Sequence, residues 1–199
     1  MERKKITKII FEKMEKILIG LVGELGSGKD TFCKYIKENY QKVTILKFSD
    51  ALFDILRMFF DTVSREDLQW LGLVLKQKFG FDILVRALVR RANSIPEGII
   101  ILNGVREEDE AKAIRGAGGK IVYITAGQKL RWERVSVRGE KADDNAPFEK
   151  FVELEKATVD MHITEIGKTA EFKVENNGTK EDLGKQIKNL IETLKNGER

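Results

Sequence analysis

Short apolar runs alternate along the chain with longer segments whose apolar residues recur at helical spacing. Ile17–Val22 and Gly98–Leu102 contain no polar residue, the signature of strands buried on both faces. Val43–Phe48, Lys120–Thr125 and Glu171–Glu175 bring the predicted strands to five. Helices are predicted over Lys29–Glu38, Asp50–Phe60, Ser64–Phe79, Asp82–Asn93, Glu107–Arg115, Gln128–Arg138, Phe148–Val159 and Thr179–Leu194. Thr179 and Asp182 are spaced as an N-cap pair opening the last of these. The stretch from Gly139 to Pro147 is polar and reads as a loop. Buried strands separated by helices imply a parallel sheet covered on both faces, a three-layer α/β/α architecture. Right-handed crossovers then place every strand's carboxyl end along one rim, where ligands bind.

Composition narrows this picture without redirecting it. The 199 residues hold one domain with no repeat or Ser/Pro-rich linker, and no apolar run approaches the roughly 20 residues of a membrane span. One Cys and one His exclude a disulfide framework and leave His-based metal chemistry almost nothing to work with. The expected compartment is the cytoplasm. Of the formal charge of +4, residues 1–16 carry +3, so the body lacks the concentrated basic footprint of a nucleic-acid binder. That basic start reads either as an extension ahead of a natural start at Met14 or as an amphipathic helix with Ile6, Ile9, Ile10 and Met14 on one side.

The chemistry enters at Gly23-Glu-Leu-Gly26-Ser27-Gly28-Lys29-Asp30-Thr31, directly after an apolar strand and at the opening of a helix. In that context a G-x-x-x-x-G-K match is a phosphate loop: glycines let successive N–H groups converge on phosphate oxygens, the helix adds its positive end, and Lys29 supplies a point charge. Asp30 stands where Ser or Thr usually carries the magnesium-directed hydroxyl, and it offers a carboxylate for the ion or one of its waters. Thr31 is then free for another phosphate. Cys33 reads as packing behind the loop.

On these residues the chain resembles the P-loop nucleoside monophosphate kinases and their relatives over roughly residues 17–194. Gly26-Ser-Gly-Lys-Asp-Thr31 is most similar to the deoxynucleoside monophosphate kinases and related kinase-like proteins, with dephospho-coenzyme A kinases as more distant cousins. The resemblance implies a P-loop NTPase fold with a lid, ATP and Mg²⁺ as donor and metal, and a small phosphorylated acceptor. It also implies an acceptor-binding helical region over 50–95. There Asp50, Asp54, Arg57 and Asp61 form one polar stripe on a helix otherwise apolar and expected to be buried. Arg57 matches the arginine that clamps the acceptor phosphate, and Asp50 is a candidate to orient or deprotonate the acceptor.

Asn103-Gly-Val-Arg106 stands where the family carries Asp-Gly-x-Arg, so Asn103 offers magnesium-bound water an amide in place of a charge. Weakened or lost catalysis is the alternative consequence. Arg106, at the sheet rim after a glycine, suits bidentate recognition of the acceptor phosphate, and Arg86 and Arg90 are further candidates for that pocket. Arg131, Arg134 and Arg138 share one helix face ahead of the acidic loop, matching a lid over 131–147 that brings arginines to the transferring phosphoryl group. Asn177 and Gly178 match the loop that wraps the adenine edge, and His162 reads as structural. The resulting expectation is ATP-dependent phosphoryl transfer to a (deoxy)nucleoside monophosphate by a monomer or homodimer, with dephospho-coenzyme A kinase and a non-catalytic nucleotide-binding module as alternatives.

Overall fold

The computed structural model describes residues 16–138, 146–155 and 158–197. Five strands, β1 (Lys16–Val22), β2 (Val43–Lys47), β3 (Gly98–Val105), β4 (Lys120–Thr125) and β5 (Phe172–Glu175), pair in parallel in the order β2-β3-β1-β4-β5. The helices are α1 (Lys29–Asn39), α2 (Phe48–Arg57), α3 (Arg65–Phe79), α4 (Ile83–Asn93), α5 (Glu108–Gly116), α6 (Gln128–Arg138), α7 (Phe148–Glu155), α8 (Thr158–Lys168) and α9 (Lys180–Lys195).

Alternation along the strands builds two cores. Ile17, Ile19, Leu21, Ile99 and Ile101 face one side, where Phe32 and Ile36 of α1 and Leu183, Ile187 and Ile191 of α9 cover them. Leu18, Val22, Ile100 and Leu102 face the other, against Val85 and Leu88 of α4, Ile114 of α5 and Ile166 of α8. Because the central strands are buried on both faces, β1 is apolar throughout after its opening Lys16, and β3 carries its first polar side chain, Asn103, only near its carboxyl end at the rim.

Most boundaries shift by a residue or more from the sequence pattern, α2 ending at Arg57 instead of Phe60, and three of the shifts bear on the site. Phe48 opens α2 instead of closing β2, because the Asp50 carboxylate accepts the Lys47 N–H (2.8 Å) and so fixes the helix start two residues earlier. β3 runs on to Val105, which carries Asn103 inside the strand. The helix expected to end at Val159 is followed instead by a second one, α8, and this places His162 on a helix. The basic N-terminal segment and most of the expected lid loop, 139–145, lie outside the described residues.

Candidate functional site

The phosphate loop leaves β1 at Val22 and turns at residues 24–27, where the Ser27 N–H donates to the Glu24 carbonyl (3.2 Å). Gly26 and Gly28 have φ of 77° and 105°, and a side chain at Gly28 would lie 2.2 Å from the Asn176 amide nitrogen. The loop is clasped from outside. Arg131 Nη1 donates to the Leu25 carbonyl (3.3 Å), Arg134 Nη1 to that of Gly26 (3.5 Å) and Asn176 Nδ2 to that of Ser27 (2.9 Å). With three successive carbonyls engaged, the N–H groups of the loop and of the first turn of α1 are what it presents to an anion. Lys29 Nζ donates to the carbonyls of Gly23 (2.5 Å) and Glu24 (2.9 Å). Beneath the loop the buried Glu24 carboxylate accepts the Tyr123 hydroxyl through one oxygen, while its other oxygen and the buried Ser27 hydroxyl have no hydrogen-bond partner among the described residues. Burial, reinforced by that hydrogen bond, pushes the Tyr123 phenol up to about 12.

Two cavities, of about 720 and 750 Å³, open on the sheet rim and share a wall made of Lys29, Asp30, Arg65, Gly104 and Arg106. The first is completed by the phosphate loop with Arg134, Arg138 and Lys180. The second has a largely apolar surface from Phe48, Leu52, Leu68, Leu73 and Leu84, with Lys47, Ser49, Gln69, Lys76, Asn103, Glu107 and Glu110 as its further polar groups. Arg106 is aimed by its own backbone: its N–H and that of Glu107 donate to the buried Glu110 carboxylate (2.9 and 3.3 Å), which also faces Lys76 at 4.0 Å. Burial raises the Glu110 carboxyl above the ordinary range, opposed by those N–H groups and by Lys76.

Gly23, Gly26, Gly28, Lys29, Asp30 and Thr31, expected to hold the donor, line the first cavity together with Arg106, expected on the acceptor side, and Arg134 and Arg138 of the expected lid. Ser27 is buried within the loop. Burial lowers the Arg134 guanidinium from its usual value, and Arg134 also donates to the Asn176 carbonyl (2.9 Å).

The acceptor residues need correction. The Asp50 carboxylate caps α2, and Arg57 donates to the Asp61 carbonyl (3.0 Å) and stacks over Phe53 (5.7 Å); neither lines either cavity. The expected burial of α2 does not hold: it buries only Leu52 and Leu56, so its polar residues have solvent to face. Arg65, at the first position of α3, lines both cavities where Arg57 lines neither. The chain held a hint: a cation at a helix N-terminus opposes the macrodipole and calls for a reason.

Arg131 also leaves the group, since both its terminal nitrogens pair with the Glu155 carboxylate and its Nε donates to the Ala126 carbonyl (2.9 Å). Arg86 pairs with Asp82 (3.2 Å), and neither it nor Arg90 lines either cavity. Asn177 accepts the Gly127 N–H (2.8 Å), and Gly178 sits against Asp182; the residue of this turn that reaches the phosphate loop is Asn176. His162 pairs with Glu107 (2.9 Å) on the rim, and burial, then the charge of Asp30, raises the Cys33 thiol to about 12, as suits a packing role.

Among the described residues no cluster of three His, Cys, Asp or Glu side chains is placed to hold a metal. Mg²⁺ does not require one, because it retains water and binds through one or two carboxylates together with substrate phosphates. Asp30 and Asn103 both line the second cavity, and Asp30 lies on the shared wall. This oxygen-donor set fits that ion.

No protein-family model matches the chain. It is similar to UPF0200 protein TK1334 of Thermococcus kodakarensis (25% identical over 191 residues, 89% of this chain and 98% of the relative). A UPF0200 protein of Thermococcus gammatolerans is 28% identical over 193 residues, 91% of this chain and 97% of that one. Among solved structures, TT1252 from Thermus thermophilus superposes with a TM-score of 0.59 at 24% identity, covering 90% of this chain and 98% of its own. The shikimate kinase of Acinetobacter baumannii, in complex with shikimate, does so at 0.54 and 20%, covering 92% and 96%. The chain therefore has the P-loop fold found in kinases. No helix among the described residues is long and apolar enough to cross a membrane.

Proposed function

We propose that this protein transfers the terminal phosphoryl group of ATP to a small phosphate-bearing acceptor, in the first instance a nucleoside or deoxynucleoside monophosphate. The observation that carries this reading is the shared wall: Lys29, Asp30, Arg65 and Arg106 stand between a phosphate-loop cavity and a second, mostly apolar one. Such a wall holds two anionic groups face to face and offsets their repulsion, which is the main task in this chemistry.

In this reading the loop N–H groups and Lys29 hold the donor, and Thr31 takes a further phosphate oxygen. Arg65 and Arg106 hold the acceptor phosphate, and Arg134 and Arg138 face the group in transit. Asn177 and Gly178 remain candidates for the adenine edge. Asp30 and Asn103 would hold Mg²⁺ and its waters; when bound, the ion neutralises charge on the transferred phosphates.

ADP release should be assayed with ATP, Mg²⁺ and a panel of monophosphates, with dephospho-coenzyme A and shikimate as competing acceptors. Turnover on a monophosphate is expected, and Lys29→Met should lower it by roughly 10²–10³-fold with the melting temperature unchanged. Turnover only on shikimate, which has no phosphate, would overturn the acceptor assignment. One observation favours a second reading: Asn103 brings no charge to the magnesium side, and tight ATP binding with no turnover on any acceptor would make the protein a nucleotide-binding module.

A further inference from the structure

Ten of the eleven large hydrophobic side chains exposed among the described residues fall between residues 53 and 81. They come from α2, α3 and the turns that end these helices, and α2 and α3 pack together where Leu52 meets Gly72. Phe53, Met58, Phe59, Phe60, Trp70 and Phe81 are each exposed by 41–79%. Taking roughly 200 Å² for a large side chain, the ten together leave on the order of 1,000 Å² of apolar surface in water. Typical monomers expose patches of about 300–600 Å², and a standard interface takes about 800 Å² from each partner.

We propose that residues 53–81 form the surface through which two copies of this chain pair. The size is that of one half of a stable interface, and the charge selects the occupant. Residues 53–81 carry four acids and four bases, so the patch is neutral on a chain of formal charge +4. A neutral patch has no electrostatic attraction for an anionic lipid surface or a strongly charged partner, whereas an isologous copy meets it without net repulsion. Arg57 over Phe53 and Lys78 over Phe79, each 5.7 Å from the ring centroid, already supply the aromatic faces with cations from the chain itself. The patch also reaches the second cavity, which Leu73 lines, so pairing would finish one rim of that cavity.

Sedimentation velocity on the full chain across a concentration series tests this. A species of twice the chain mass is expected, and Phe60→Asp and Trp70→Glu should each convert it to monomer while leaving the circular dichroism spectrum unchanged. Trp70 emission should shift to the blue as the dimer forms, a change that Trp70→Phe removes. A wild-type chain that is monomeric throughout overturns the proposal. If that monomer does not bind an apolar dye, another part of the chain covers the patch; if it binds neutral phosphatidylcholine vesicles, the surface is a membrane contact. A dimer that survives both substitutions overturns it as well, by placing the interface elsewhere.

Discussion

Arg131 and Arg134 lie three residues apart on α6, yet their surroundings give them different work. Arg131 is buried against Glu155 and three carbonyl or aromatic partners, while Arg134 keeps one edge on the phosphate cavity. Arg131→Ala is therefore expected to cost about 3 kcal/mol in urea denaturation, because it leaves the largely covered Glu155 carboxylate with the neutral Gln128 amide (2.8 Å) in place of a cation. Arg134→Ala should leave stability nearly intact and lower turnover.

Two carboxyls respond to pH with opposite sign. Glu110 is raised chiefly by burial, so between the unfolded value near 4.3 and its folded value the native state keeps a proton that the unfolded chain has released. Stability from this group thus falls as pH rises through that window, and Glu110→Gln should flatten the decline. Burial also pushes Glu171 up, but the Ile121 N–H (2.8 Å) and Arg115 (2.9 Å) outweigh it and leave the carboxyl lowered. Its contribution is present at neutral pH and is lost as pH falls through the folded value. Glu171→Gln should therefore destabilise at pH 7 and become neutral in acid, a contrast that unfolding curves at three pH values would show.

At the scale of the element, the chain announces what depends on local pattern and conceals what depends on its neighbours. The five strands, the phosphate loop and the Thr179–Asp182 cap follow from runs, glycines and spacing within a few residues. Arg57 could not be placed in the same way. Its stripe implied a cleft only if α2 were buried, and burial of α2 is decided by how little of it α3 and α4 cover. Arg65 and Asn176 were hidden for the complementary reason: each reaches the site from an element distant in sequence, and Asn176 bonds to a loop 149 residues away. The clasp it makes is testable. Asn176→Ala removes one buried hydrogen bond from the outside of the loop, worth about 1 kcal/mol, and should weaken ATP roughly five- to tenfold in calorimetry. The KM for the acceptor should not move, since Asn176 does not line the second cavity.

The whole molecule converges on that loop. Glu24 reaches β4 through Tyr123, Ser27 reaches the turn after β5 through Asn176, and Leu25 reaches α6 through Arg131. A loop held from three directions cannot open without loosening the far half of the sheet, so its occupancy should be felt globally. Nucleotide at a hundred times its Kd stabilises the native state by about 2.7 kcal/mol. For a chain of this size each kcal/mol moves the melting temperature by about 2–4 °C, so ATP with Mg²⁺ should raise it by roughly 5–10 °C. The variants divide the effect. On the proposed reading, in which Lys29 holds the donor and Arg106 the acceptor, Lys29→Met should abolish the shift, whereas Arg106→Ala should keep most of it and lose turnover. Hydrogen exchange gives the sharper reading. If ATP slows exchange along β4 and β5 as well as over residues 23–31, the loop and the sheet open as one unit. Protection confined to 23–31 would mean that the three tethers yield independently and that the site is a local feature on a sheet indifferent to it.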